Sequence, residues 1–166
     1  MEMAASGGQL FSRIEGEFRM WLETTQSDRA EIETNGIGLT QRNTAWLLRG
    51  DEKESARIPW ELSSPQGKLR AAQVVPGRGA WTWCRLWMDA SDGVLHQECD
   101  WMREPDFGSV PAGAGEYAIE LDIYPRDPEY IPEWLAERAA AYEKRKARNA
   151  RRREARRRKR EQERGQ

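Results

Sequence analysis

Two runs in the middle of the chain, Ala80 to Asp89 and Val94 to Met102, alternate apolar and polar side chains on either side of Ala90-Ser91-Asp92-Gly93. Asp-Gly between alternating runs is a strong short-range signal for a β-hairpin. A hairpin commits the fold to antiparallel pairing, because so short a connection cannot make the crossover that parallel strands need. If Asp92-Gly93 is a two-residue type I′ turn, Ser91 faces Val94 and paired residue numbers sum to 185. One face then carries Cys84, Leu86 and Met88 opposite Cys99, Gln97 and Leu95, with Trp101 nearby. The other carries Trp83, Arg85, Trp87 and Asp89 opposite Met102, Asp100, Glu98 and His96. In this register Arg85 lies across from Asp100, an expected cross-strand ion pair. Moving the turn back one step lowers the sum to 183, keeps both faces and sets Cys84 opposite Cys99. A three-residue loop would exchange the faces; the two-residue parity is preferred because it separates core from surface.

Helical spacing precedes this sheet signal. Leu10, Ile14, Phe18, Trp21 and Leu22 share one face, with charged residues of both signs between them. That mixed polar face suits a helix packing on a core better than a membrane anchor, whose polar face would be basic. Residues 1–8 read as disordered. Between 30 and 62 short strands are expected, around Ile32, Ile37 and Leu39 and around Ala45 to Leu48, with turns signalled by Gly36, Asn43 and Gly50-Asp51. Leu62 to Val75 is weakly helical and stops at Pro76-Gly77-Arg78-Gly79, a tight turn lacking the spacing of a phosphate loop. Residues 103–116 are a Pro/Gly loop. Tyr117 to Tyr124 fits either a strand or a helix, and Pro132 suits the first turn of a helix carrying Trp134, Leu135 and Ala139 to Tyr142. The expected fold is α+β: an antiparallel sheet with N-terminal and C-terminal helices packed on it. The domain spans 9–143, and a charged helical or disordered tail spans 144–166.

Charge divides along the same lines. The net charge of −1 conceals a balanced segment 1–88, an acidic segment 89–137 with 13 acidic and 2 basic side chains, and a basic segment 138–166 with 14 basic and 4 acidic ones. Beyond Tyr142 no large apolar side chain remains, so the tail cannot pack into a core. No apolar run approaches the ~20 residues of a membrane-spanning helix, and Met1 to Gln9 has no basic or apolar signal segment. A cytoplasmic protein with two reduced thiols, Cys84 and Cys99, is expected.

Catalysis finds little to work with. His96 is the only histidine, and no serine or cysteine sits in a recognisable nucleophile setting. His96, Glu98 and Asp100 alternate on one strand, where carboxylates are able to hold a hard cation, but an exposed polar strand face explains them as well. No catalytic role, metal or cofactor is expected. The eight tryptophans are more informative, since Trp is enriched both in cores and at binding hot spots. Trp83 and Trp87 share the charged hairpin face. Either a helix covers that face, or it is an exposed aromatic–acidic surface that docks a basic partner.

The segment from Pro76 to Leu135 resembles the YezG-like family of immunity proteins. The matching stretches are Pro76 to Trp81, the hairpin with Asp92-Gly93, Cys99-Asp100-Trp101-Met102-Arg103-Glu104-Pro105-Asp106-Phe107, Ile123 to Asp127, and Ile131 to Leu135. They cover about 60 of the 166 residues. The resemblance implies a small cytoplasmic α+β protein that binds and blocks a cognate bacterial nuclease toxin without catalysis, and it implies a helix over 116–124. A nuclease holds a polyanion in a basic cleft, so an acidic face would be steered toward it. The residues expected to dock the toxin are Trp83, Trp87, Asp89, Glu98, Asp100, Trp101, Glu104 and Asp106. The alternative is nucleic-acid binding through Arg151, Arg152, Arg153, Arg156, Arg157, Arg158, Lys159 and Arg160. In a third reading the basic tail folds back on the acidic segment as a clamp.

Overall fold

The computed structural model describes residues 6–166. Helix α1, Gly7–Thr25, starts with a capping box: Ser6 Oγ accepts the Gln9 amide, and the Gln9 side chain accepts the Ser6 amide. Two donors that a helix start otherwise leaves unpaired are thereby satisfied. Residues 6–8, expected to be disordered, thus belong to this helix start, and the rest of that expected segment, residues 1–5, lies outside the described residues. The buried face of α1 is the one its spacing announces: Leu10, Ile14, Phe18, Trp21 and Leu22.

Five antiparallel strands follow the order β3-β2-β1-β4-β5. They are β1 (Arg29–Ile37), β2 (Thr40–Arg49), β3 (Glu52–Ser55), β4 (Trp83–Asp89) and β5 (Leu95–Asp100). Helix α2, Trp60–Ala72, joins α1 over one face of the sheet. There Ala30, Ile32, Ala45, Leu47, Cys84, Leu86, Met88 and Leu95 meet Leu62, Leu69 and the apolar stripe of α1 in one core. Each large aliphatic side chain buried in this way contributes about 1.5–3 kcal/mol. A smaller core gathers at the far end of β1, where Ile37 meets Phe107, Tyr117, Ala118, Leu135 and Ala139. It joins α3 (Glu116–Ile123) to the first turns of α4 (Glu133–Arg164). The segment that fitted either strand or helix is therefore α3.

Several local expectations need correction. Gly36 and Asn43 do not mark turns. Gly36 lies inside β1 because Arg70 crosses directly over it: a Cβ there would stand 2.9 Å from the Arg70 side chain. Asn43, inside β2, accepts hydrogen bonds from Thr34 Oγ1 and Gln66 Nε2 through its Oδ1. The real turn is Gly38-Leu39, with Gly38 at φ 57° and Leu39 exposed. The hairpin takes the 183 register, with Cys84 opposite Cys99 and Arg85 opposite Glu98 rather than Asp100. A type I′ turn needs positive φ at both central residues, and of the pair only Gly93 has it, at 62°. Instead the Asp89 carbonyl accepts the amides of Asp92 and Gly93, while the Asp92 carboxylate takes the Val94 amide. Of the two readings of the tail the helical one holds, and α4 continues unbroken through the expected boundary at 143–144 as far as Arg164.

One polar cluster is sealed inside this arrangement. The Arg70 and Glu120 side chains, 1% and 0% exposed, pair at 2.6 Å, and Arg126 approaches the same Glu120 oxygen at 3.6 Å. Glu120 Oε2 also accepts the Gly38 amide at 2.7 Å, while Arg70 donates to the carbonyls of Trp81 and Gly38. Arg126 donates to the carbonyls of Ala80, Trp101 and Tyr130. Burial pulls the Arg126 guanidinium below its ordinary range, and Glu120 opposes that pull. Replacing Glu120 with Ala strands two buried cations, so stability falls by about 3–5 kcal/mol. The midpoint temperature then drops by about 6–20 °C. Glu104→Ala, which breaks an exposed pair with Arg138, costs less than about 1 kcal/mol. Urea titrations of the two variants check the contrast.

Candidate functional site

Strand alternation gives the sheet a second face, opposite α1 and α2, and its far end is roofed. The loop after β5 folds over Trp83, which is 7% exposed, and lays the Arg103 guanidinium 3.9 Å from its ring. The Asp106 amide donates to Asn35 Oδ1, and Trp134 Nε1 donates to the Met102 carbonyl. Nearer the hairpin turn the face is open. Neither hydrophobic cluster includes Trp46 or Trp87, and both rings are only half-buried.

Three rows of paired residues make up this open platform. The middle row reads Trp46, Glu31, Trp87 and His96 across four strands. With strands ~4.8 Å apart, the two tryptophans stand about 10 Å apart on either side of Glu31. The Glu31 carboxylate gathers three cations, Arg85 at 2.7 Å, Arg29 at 3.4 Å and Lys53 at 3.8 Å. Those cations also brace the rings: Lys53 lies 4.7 Å over Trp46, and Arg85 lies 4.6 Å over Trp87. His96 stacks on Trp87 at 5.3 Å. One row bears Lys53, Leu48, Arg29 and Asp89, the other Thr44, Glu33, Arg85 and Glu98. Arg29 clamps Asp89 through two hydrogen bonds, and that clamp raises its own pKa. Glu33 and Glu98 flank Arg85, which has turned to Glu31, and neither is in an ion pair with a described residue.

The eight residues expected to dock a partner therefore do not form one surface. Trp87, Asp89 and Glu98 belong to the platform. Trp83 faces the same way but lies under the loop, covered by Arg103 and not by a helix. Trp101 is on the opposite side, packed against the main core, donating its Nε1 to the Gly79 carbonyl and stacked under Arg78. Asp100 accepts the amides of Met102 and Arg103, and Asp106 accepts that of Gly108, so both carboxylates shape the loop. Glu104 pairs with Arg138. The Arg85–Asp100 pair gives way to Arg85–Glu31, because β1 lies between β2 and β4 and offers the closer carboxylate. The metal-like alternation dissolves too: His96 goes to Trp87 and Asp92, and Asp100 to backbone amides. Among the described residues, no group of three His, Cys, Asp or Glu is arranged to hold a metal ion.

The platform residues that the sequence reading does not single out are Trp46, Glu31, Glu33, Arg29 and Lys53, while Arg85 is expected on this face with a different carboxylate as its partner. The alternation Arg29-Ala30-Glu31-Ile32-Glu33 does carry a signal for them, since it puts two carboxylates and a guanidinium on one face of β1. No family model and no curated protein matches the chain. Among the described residues, no helix is long and apolar enough to cross a membrane.

Under the opposite face Cys84 and Cys99 meet across β4 and β5. Their mutual hydrogen bond, followed by burial, holds the Cys84 thiol well above the ordinary thiol range. The same bond lowers Cys99, which is partly exposed. A thiol reagent near neutral pH is therefore expected to label Cys99 in the folded protein and Cys84 only on unfolding. Mass spectrometry of labelled peptides measures this. Equal labelling of both thiols in the native state would contradict it.

Proposed function

We propose that this chain is an immunity protein of the YezG-like kind, which binds and neutralises a cognate nuclease toxin in the cytoplasm without catalysing a reaction. The observation that carries the proposal is the open platform. Two half-buried tryptophans, each with a cation over its ring, frame the buried Glu31 carboxylate on the part of the sheet face that the loop after β5 leaves open. Rigid, partly desolvated tryptophans are the usual anchors of a protein interface. The resemblance of Pro76 to Leu135 supports the same class of function.

The platform also changes the mechanism that the acidic segment suggested. Asp89, Asp100, Glu104 and Asp106 are already engaged, so a broad imitation of phosphate charge is not what this face offers. Glu33 and Glu98, two strands apart, keep their charge free for a basic cleft. A base of the toxin reaching between the two tryptophans would meet Glu33, and one reaching past Trp87 would meet Glu98. Electrostatic matching of this kind chiefly raises the association rate and excludes wrong partners, while the aromatic anchors set residence time.

The test is co-expression with the toxin encoded beside this gene. The wild-type chain is expected to restore growth; failure against that toxin would reject the immunity reading. Trp46→Ala and Trp87→Ala are each expected to weaken toxin binding by about 2 kcal/mol, roughly 30-fold. Glu33→Lys with Glu98→Lys is expected to slow association at low salt. If the double tryptophan variant binds as tightly as wild type, the toxin sits elsewhere.

A further inference from the structure

Helix α4 has two unlike halves. Its first turns are seated by Trp134, Leu135, Ala139 and Tyr142. From Glu143 onward every residue is exposed. The free part, residues 143–164, is about 33 Å of helix at 1.5 Å per residue. It holds 13 basic and 4 acidic side chains, a net +9, while residues 1–142 carry −10. Arg, Lys, Glu and Ala all favour helix, so the rod persists without a core, but its cations repel one another.

Three of the four acids are gathered on one side. At 100° per residue, Glu143, Glu154 and Glu161 fall within 20° of one line, while Glu163 falls on the opposite side, beyond Lys159. Two of these three acids are matched: Glu154 pairs with Arg158 and Glu161 approaches Arg157. On the opposite side Arg145, Arg148, Arg152, Arg156 and Lys159 fall within about 40° of a single line spaced 3, 4, 4 and 3 residues apart. None of the five is in an ion pair with a described residue. The row is straight and about 21 Å long.

We infer that this row is a docking surface for double-stranded DNA, an activity separate from the platform. Duplex DNA carries one negative charge per ~1.7 Å of its axis. Its major groove, about 12 Å wide, accepts an α-helix, whereas the major groove of duplex RNA is too narrow for side chains to read. The free half of α4 contains no aromatic ring on which unpaired bases would stack, so it favours a duplex over a single strand. The acidic body does not defeat the contact. A Debye length of ~8–10 Å near physiological salt screens most of the rod from it. Nor does α4 fold back on the acidic segment, since the basic row is exposed along its whole length.

Anisotropy titrations of the full chain with a mixed-sequence 20-base-pair DNA duplex test the inference. Five phosphate contacts give a slope of log affinity against log salt of about −4.5, or roughly 500-fold weaker binding at 200 mM salt than at 50 mM. Changing Arg145, Arg148, Arg152, Arg156 and Lys159 together to Gln, itself a good helix former, is expected to cost more than about tenfold at 50 mM salt and to flatten the slope. A charge-matched variant with Lys144, Lys146, Arg151, Arg153 and Arg160 changed to Gln is expected to lose less than about fivefold. Circular dichroism confirms that both keep their helix. Equal losses in the two variants, a single-stranded 20-mer bound as tightly as the duplex, or no binding by the wild type at 50 mM salt would each overturn the assignment.

Discussion

Glu120 holds the molecule together at a point where apolar packing has nothing to offer. Its carboxylate lies between two guanidinium groups and an amide, all out of water. Charges this deep are stable only when each has its partner. The three charged groups come from α2, α3 and the segment after α3, while the amide belongs to the β1–β2 turn. Through the carbonyls of Ala80, Trp81 and Trp101 the same cluster grips the backbone just before β4 and just after β5. The two cores sit on opposite sides of the sheet and have no residue in common. The buried cluster is what sets one against the other, and so sets how far the loop after β5 reaches over the outer face.

That reach decides what the outer face can do. The loop roofs Trp83 and stops short of Trp87, and the ring left open is the one braced by Arg85 and His96. Arg85, Arg29 and Lys53 converge on Glu31, and this convergence fixes long side chains that would otherwise sample many rotamers. Side-chain entropy of that kind is a cost any binding event must meet. Here much of it is met by the ion pairs within the chain itself, which hold the platform side chains in one arrangement.

Much of the fold was legible because it rests on local pattern. The spacing of Leu10, Ile14, Phe18, Trp21 and Leu22 gives both α1 and its buried face, and alternation from Trp83 to Met88 separates the main-core face from the outer face, where Trp83 is itself buried under the loop. The hairpin register came out two residues away, because the Asp92 carboxylate serves the Val94 amide instead of a left-handed Asp-Gly turn. Gly36 and Asn43 were misleading for a different reason. Each is required by a side chain from α2, Arg70 or Gln66, and local sequence carries no trace of that. The acidic segment was misleading in the same way. Its charges looked unopposed because their partners, Arg29, Arg70 and Arg138, lie outside it. Only the topology reveals which carboxylates remain free.

The order of the strands leaves β3 and β5 with unpaired backbone edges. An open edge is a template for a neighbouring chain, and proteins blunt it with short strands and charge. Strand β3 has four residues, two of them glutamates. Strand β5 sets His96, Glu98 and Asp100 in alternation along its length. In registers that set Glu52 opposite Glu54, or Glu98 opposite its own copy, two molecules meeting edge to edge would bring carboxylate against carboxylate, an unfavourable cross-strand pairing. The sheet therefore ends where it does by repulsion at both margins. The chain is thereby discouraged from joining its own copies into a longer sheet.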